Sequence, residues 1–107
     1  MTEKQIRKEA TKTITKQNGI CWFASKVKFK KESDIFSIWD GLVIYPPATL
    51  IPIQLTTIEN IRAREKKIKK FLANREIEIF SQIWAWDKKQ KRFRIFNVYK
   101  QGLAKEN

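Results

Sequence analysis

The sequence predicts one mixed α/β (α+β) domain, with two helices and five strands in the order α-β-β-β-α-β-β. They form a single mixed sheet with a helix on each side. Three observations lead there. The 107 residues and their 42% hydrophobic content suffice for one core. Apolar residues recur at spacings of three and four near the N-terminus and again between 57 and 73, but alternate or run together elsewhere. The stretch 34–57, DIFSIWDGLVIYPPATLIPIQLTT, reads as two apolar strands joined by a Pro-Pro turn. No linker, repeat or low-complexity segment interrupts the chain, so the domain is expected to span 1–107.

The periodicity predicts a first helix over residues 3–17, with Ile6, Ala10, Thr13, Ile14 and Gln17 on its inner face. Asn18-Gly19 closes it, Gly19 being the expected left-handed residue. Glu9 flanks the buried stripe. Residues 20–30 alternate as a strand. Cys21, Phe23, Ser25, Val27 and Phe29 share one face, and Trp22, Ala24, Lys26, Lys28 and Lys30 the other. The lysine row reads either as a solvated edge that resists aggregation or as a ridge that tracks phosphates.

A second strand is expected at about 34–45 and a third at 49–56. Pro46-Pro47-Ala48 separates them. Thr57 is placed to cap a helix running to about 73, with Ile58, Ile61, Ile68, Phe71 and Leu72 buried. Its outer face carries Arg62, Arg64, Lys66, Lys67, Lys69 and Lys70. Strands at 76–86 and 92–100 complete the order. Their aromatic residues, Trp84, Trp86, Phe93 and Tyr99 among them, read as core or interface.

Composition narrows the chemistry. There is no histidine, and Cys21 is the single cysteine, so an internal disulfide, a Ser-His-Asp triad or a Cys/His zinc site is excluded. Any chemistry must run on carboxylates, lysines, hydroxyls and a bound metal. Lys and Arg number 23 against 11 acids, a net charge of +12. Such an excess favours phosphate-rich partners, nucleic acid above all. No apolar run approaches the ~20 residues that cross a bilayer. The charged start MTEKQIRKEA has no signal-type stretch, so a cytoplasmic location without membrane contact is expected.

The expected strands carry polar groups where a core strand has none. Gln54 and Thr56 point the same way, and hairpin pairing sets Asp40 beside Gln54. Asp34 lies six residues before Asp40 on the same face, which on a continuous strand is ~20 Å away, too far to share one ion.

An α-β-β-β-α-β core with this acid and this polar-x-polar pair resembles the PD-(D/E)XK nuclease superfamily, in its archaeal Holliday-junction-resolvase-like branch. Asp40-Gly-Leu-Val-Ile matches the family's acid, and Ile53-Gln54-Leu55-Thr56 falls at its (D/E)-x-K element. Glu9 matches the extra N-terminal glutamate of the resolvase branch. The resemblance implies a restriction-endonuclease-like fold and a homodimer. It also implies a Mg²⁺ (or Mn²⁺) ion held by Asp40, Gln54 and the Leu55 carbonyl with help from Glu9, and cleavage of DNA, including branched DNA. Lys26, Lys28, Lys30, Lys66, Lys67 and Lys70 would bind the backbone. The family's lysine is Thr56 here and its second acid is Gln54. A migrated lysine (Lys26, Lys28, Lys66 or Lys67) is one consequence. A degenerate relative that binds nucleic acid or serves in an assembly is the other.

Overall fold

A computed structural model describes residues 2–24, 35–36, 38–76 and 79–99 with their side chains, and the backbone of 102–106. Helix α1 (Glu3–Lys16) is followed by β1 (Ile20–Phe23), β2 (Gly41–Tyr45) and β3 (Thr49–Thr57). A 3-10 turn (Ile58–Asn60) leads into α2 (Ile61–Asn74), then β4 (Ser81–Asp87), β5 (Arg92–Tyr99) and β6 (Gly102–Glu106). The six strands lie side by side in chain order. β3 and β4 are parallel, because α2 carries the chain back between them, and every other neighbour pair is antiparallel.

Strand alternation splits the core in two. Ile51, Ile53 and Leu55 of β3 join Val43, Trp84 and Phe93 under Ile6, Ala10 and Ile14 of α1. On the opposite face Ile83 and Val98 pack with Ile68 and Leu72 of α2. The expected mixed sheet with a helix on each side is therefore present, with β6 in addition. No described helix is long and apolar enough to cross a membrane.

Local chemistry sets the boundaries of α1. Thr2 and Gln5 form a reciprocal capping box at its start. At its end Asn18, not Gly19, takes the left-handed conformation (φ 61°). Asn18 N–H donates to Thr15 and Gly19 N–H to Ile14, which closes the helix as a Schellman motif. Gly19 serves close packing instead, since a Cβ there would meet Ile14 and Tyr45 at 2.8 Å.

Three other expectations are corrected. The second strand starts at Gly41, not near 34. Ile38 and Trp39 N–H both donate to the Ile35 carbonyl, which makes a tight turn and not a strand. That turn sets Ile38 and Trp39 against α2, with Trp39 edge-on to Phe71 at 5.4 Å. Burial against a helix thus overrides alternation, and the continuous strand between Asp34 and Asp40 does not exist. The fourth strand starts at Ser81 rather than 76, because Glu76 (φ 53°) ends the helical turn. Thr57 makes no side-chain cap; its hydroxyl accepts from Asn60 Nδ2 at 3.1 Å while a 3-10 turn opens the helix. The first strand is described to Phe23. Lys26, Lys28, Lys30 and Asp34 lie outside the described residues.

Candidate functional site

Asp40 sits where β2 begins, and its backbone is bonded on both sides. Its carbonyl accepts from Ala24 N–H at 2.8 Å and its N–H donates to the Ile53 carbonyl at 2.9 Å. Because Trp39 turns away, β3 has no strand opposite its next donor, the Leu55 N–H. The Asp40 carboxylate fills that gap: Oδ2 accepts from Leu55 N–H at 2.7 Å and from Gln54 Nε2 at 2.9 Å. The side chain is 5% exposed. Asp40 is the one fully buried acid among the described residues.

Gly41 makes this approach feasible. A Cβ at Gly41 would lie 2.4 Å from the Trp22 carbonyl oxygen and 2.6 Å from Phe23 Cδ1. The Asp-Gly pair thus combines a carboxylate that caps the ladder with a residue that lets β1 close over β2.

A cation lies on the carboxylate's other side. Arg7 of α1 donates from Nη1 to the Ala24 carbonyl at 2.7 Å and sits over the Phe23 ring, 5.5 Å from its centroid. Its Nη2 is 3.7 Å from Asp40 Oδ1 and 3.9 Å from Glu3 Oε1. Arg7 Nε and Nη2 are buried and have no hydrogen-bond acceptor among the described residues. Arg7 thus faces Asp40 with N–H groups unspent.

The structure brings together Asp40, Gln54 and the Leu55 backbone. Thr56 is buried on the Gln54 side of β3, the α2 side. Glu9 points elsewhere. Two residues along a helix is a rotation of ~200°, so Arg7 and Glu9 flank the buried stripe on opposite sides. Glu9 pairs with Lys12 at 3.7 Å and lines a hollow of about 390 Å³ with Trp86, Lys88 and Lys91. α1 therefore turns Arg7, not the expected glutamate, toward Asp40. Sequence reasoning missed Arg7, and its one available signal was its position next to Ile6 on the inner stripe.

The donor set is one carboxylate, one carboxamide and one backbone carbonyl. These hard oxygens suit Mg²⁺ or Mn²⁺ better than soft metals. The carboxamide presents Nε2 to Asp40, and a half-turn about its last bond would present Oε1 at the same point. With that turn the residues fit a hard cation. No cluster of three His, Cys, Asp or Glu occurs among the described residues, and of Asp40, Gln54 and the Leu55 carbonyl only Asp40 brings a negative charge.

Basic surface lies on the same side of the sheet. Lys66, Lys67 and Lys70 are exposed on α2. A separate cleft of about 400 Å³ opens past the C-terminal ends of β3 and β4, lined by Ile6, Thr57, Ile58, Trp86 and Lys88 among others. No protein-family model, curated protein or solved structure matches this chain.

Proposed function

We propose that this domain is a divalent-metal-dependent nuclease of the restriction-endonuclease-like kind, acting on DNA. Asp40, Gln54 and the Leu55 carbonyl are its metal-binding oxygens. The observation that carries the reading is the 2.9 Å approach of the Asp40 and Gln54 side chains beside the Leu55 backbone, from the positions where the superfamily keeps its acid and its polar-x-polar element. The antiparallel β1–β2–β3 meander, followed by the parallel β3–α2–β4 unit, supports it. A bound Mg²⁺ or Mn²⁺ would supply a nucleophilic water at neutral pH and neutralise charge on the scissile phosphate. The chain's own part is to aim Asp40 through Leu55 N–H and to hold phosphates on Lys66, Lys67 and Lys70. Thr56 brings no charge, so positive charge beside Asp40 comes from Arg7.

A binding-only relative is the second reading. It is favoured by Gln54 donating to Asp40, and by Arg7 already facing that carboxylate. Incubation with branched, duplex and single-stranded DNA in Mg²⁺, Mn²⁺ or EDTA separates the two. The nuclease reading expects divalent-dependent cleavage that Asp40→Asn abolishes while DNA binding persists. It fails if Asp40→Asn cuts as well as the parent. Gln54→Glu provides a readout independent of turnover. Two carboxylates this close repel without an ion, so the variant should melt below the parent in EDTA and regain stability with Mn²⁺ by mass action. If neither protein gains melting temperature from Mg²⁺ or Mn²⁺ and no cleavage appears, the binding-only reading replaces it.

A further inference from the structure

α2 packs mainly over β3, β4, β5 and β6, and no described helix packs to that extent over β1 or β2 on that face. Two cross-strand rows stand there. Ile20, Ile44 and Leu50 face one another in register, as do Trp22, Leu42 and Pro52, the second row being open only at Trp22 because Leu42 is half-buried and Pro52 buried. Four of these side chains are strongly exposed: Ile20 67%, Trp22 58%, Ile44 41% and Leu50 55%. No charged side chain interrupts either row, in a chain of which 32% is charged. Scattered apolar residues at a surface are ordinary, but a contiguous block that includes an exposed indole is not.

We propose that this face is a self-docking surface, through which two copies of the chain pair about a two-fold axis. The area fits. The four side chains expose on the order of 500 Å² of apolar surface, at the upper end of the largest patch on a typical monomer. Two such faces remove about 1,000 Å² before any rim is added, the threshold for a specific interface. An apolar face whose rows hold no charged side chain meets its own copy without leaving a buried charge unpaired, as an isologous contact requires. Nucleic acid is the wrong occupant, because the rows offer no cation to a phosphate.

Charge sets a signature for this contact. Each copy carries +12, so the two repel through their surroundings while the rows attract. Salt screens the repulsion and leaves the apolar contact, so pairing should tighten as salt rises. Binding to DNA phosphates should weaken over the same range.

Sedimentation equilibrium of the full chain, at low and high salt, tests the proposal. The expected result is a monomer–dimer equilibrium that salt strengthens. Trp22→Glu and Leu50→Glu should each weaken it by at least about 30-fold, the effect of losing an interface hot spot, with circular dichroism and melting unchanged. If a charged variant fails to fold, Trp22→Gln and Leu50→Gln give the same comparison. The proposal is overturned if the parent stays monomeric at the highest concentration and salt, or if the folded variants dimerise as the parent does. It is also overturned if a monomeric parent floats with anionic vesicles through this face, which would assign the rows to lipid. None of these outcomes depends on the Asp40 reading.

Discussion

On one side of the central strands Asp40, Gln54 and the Leu55 amide form a buried polar network around a charge, whereas on the other side Gln82, Trp84 and Asn97 form one around none. In the neutral network Gln82 Nε2 donates to Asn97 Oδ1 at 2.9 Å and Gln82 Oε1 accepts from Trp84 Nε1 at 3.0 Å. Both ends of the Gln82 amide are used. Such a set fixes the register of β4 on β5 under α1, and every member of it is neutral. In the charged network the carboxylate caps an interrupted ladder and accepts from Gln54 Nε2, and a reversed amide would set Oε1 against the carboxylate, an arrangement that needs a cation between them. A guanidinium waits at 3.7 Å. Buried polarity therefore has two uses here, and the charge distinguishes them.

The largest blow to this comparison should be Asp40→Ala. It takes the acceptor from Leu55 N–H and the Gln54 amide and the counter-charge from the half-buried Arg7, and breaking such a set from one side costs roughly 3 kcal/mol. Denaturant unfolding at neutral pH measures it, and a loss below about 1 kcal/mol would show the network to be slack. Gly41→Ala comes next. The new Cβ meets the Trp22 carbonyl oxygen, which is backbone and cannot swing aside, so a loss of about 3 kcal/mol is expected. An unchanged melting temperature would place β1 farther from β2 than described.

Gln82→Leu probes the neutral network. It orphans Trp84 N–H and one Asn97 acceptor but no charge, so about 1–2 kcal/mol should be lost, with no effect on metal or DNA binding. A change in divalent-ion response would join the two networks and break the comparison. The smallest effect belongs to Tyr45, whose hydroxyl donates to Gln17 Oε1 at 2.8 Å. Burial raises its pKa above the usual 10.0, with Cys21 adding to the rise. The folded phenol then keeps its proton after the unfolded one has lost it, so stability is full below pH 10.0 and falls as pH climbs through the folded value. Tyr45→Phe should flatten that alkaline decline in pH-dependent melting, and an identical slope in both proteins would rule Tyr45 out as its source.

How much of the site was legible follows from how local each signal is. The Pro-Pro turn and the alternation of 49–56 place Asp40 beside Gln54, because a hairpin's register follows from its own residues. The turn at 35–39 was not legible. Ile35, Ile38 and Trp39 satisfy a strand pattern when α2 is ignored, and a turn once α2 is there to bury them. Arg7 was missed for a related reason. A helix flank has no assigned neighbour until the sheet docks, and the docked sheet offers Asp40 to Arg7 and the Trp86 hollow to Glu9.

By itself, then, the sequence determined the order of the elements as far as β5, the hairpin that brings Asp40 beside Gln54, the absence of imidazole chemistry and the strongly basic charge. These depend on residue types and short spacings. Only the tertiary structure decided that Asp40 closes an interrupted ladder, that an arginine rather than a glutamate faces it, and that Ile20, Trp22, Ile44 and Leu50 stay exposed on one face of β1, β2 and β3. Each of those depends on where α1 and α2 end on the sheet, and packing between distant segments sets that reach.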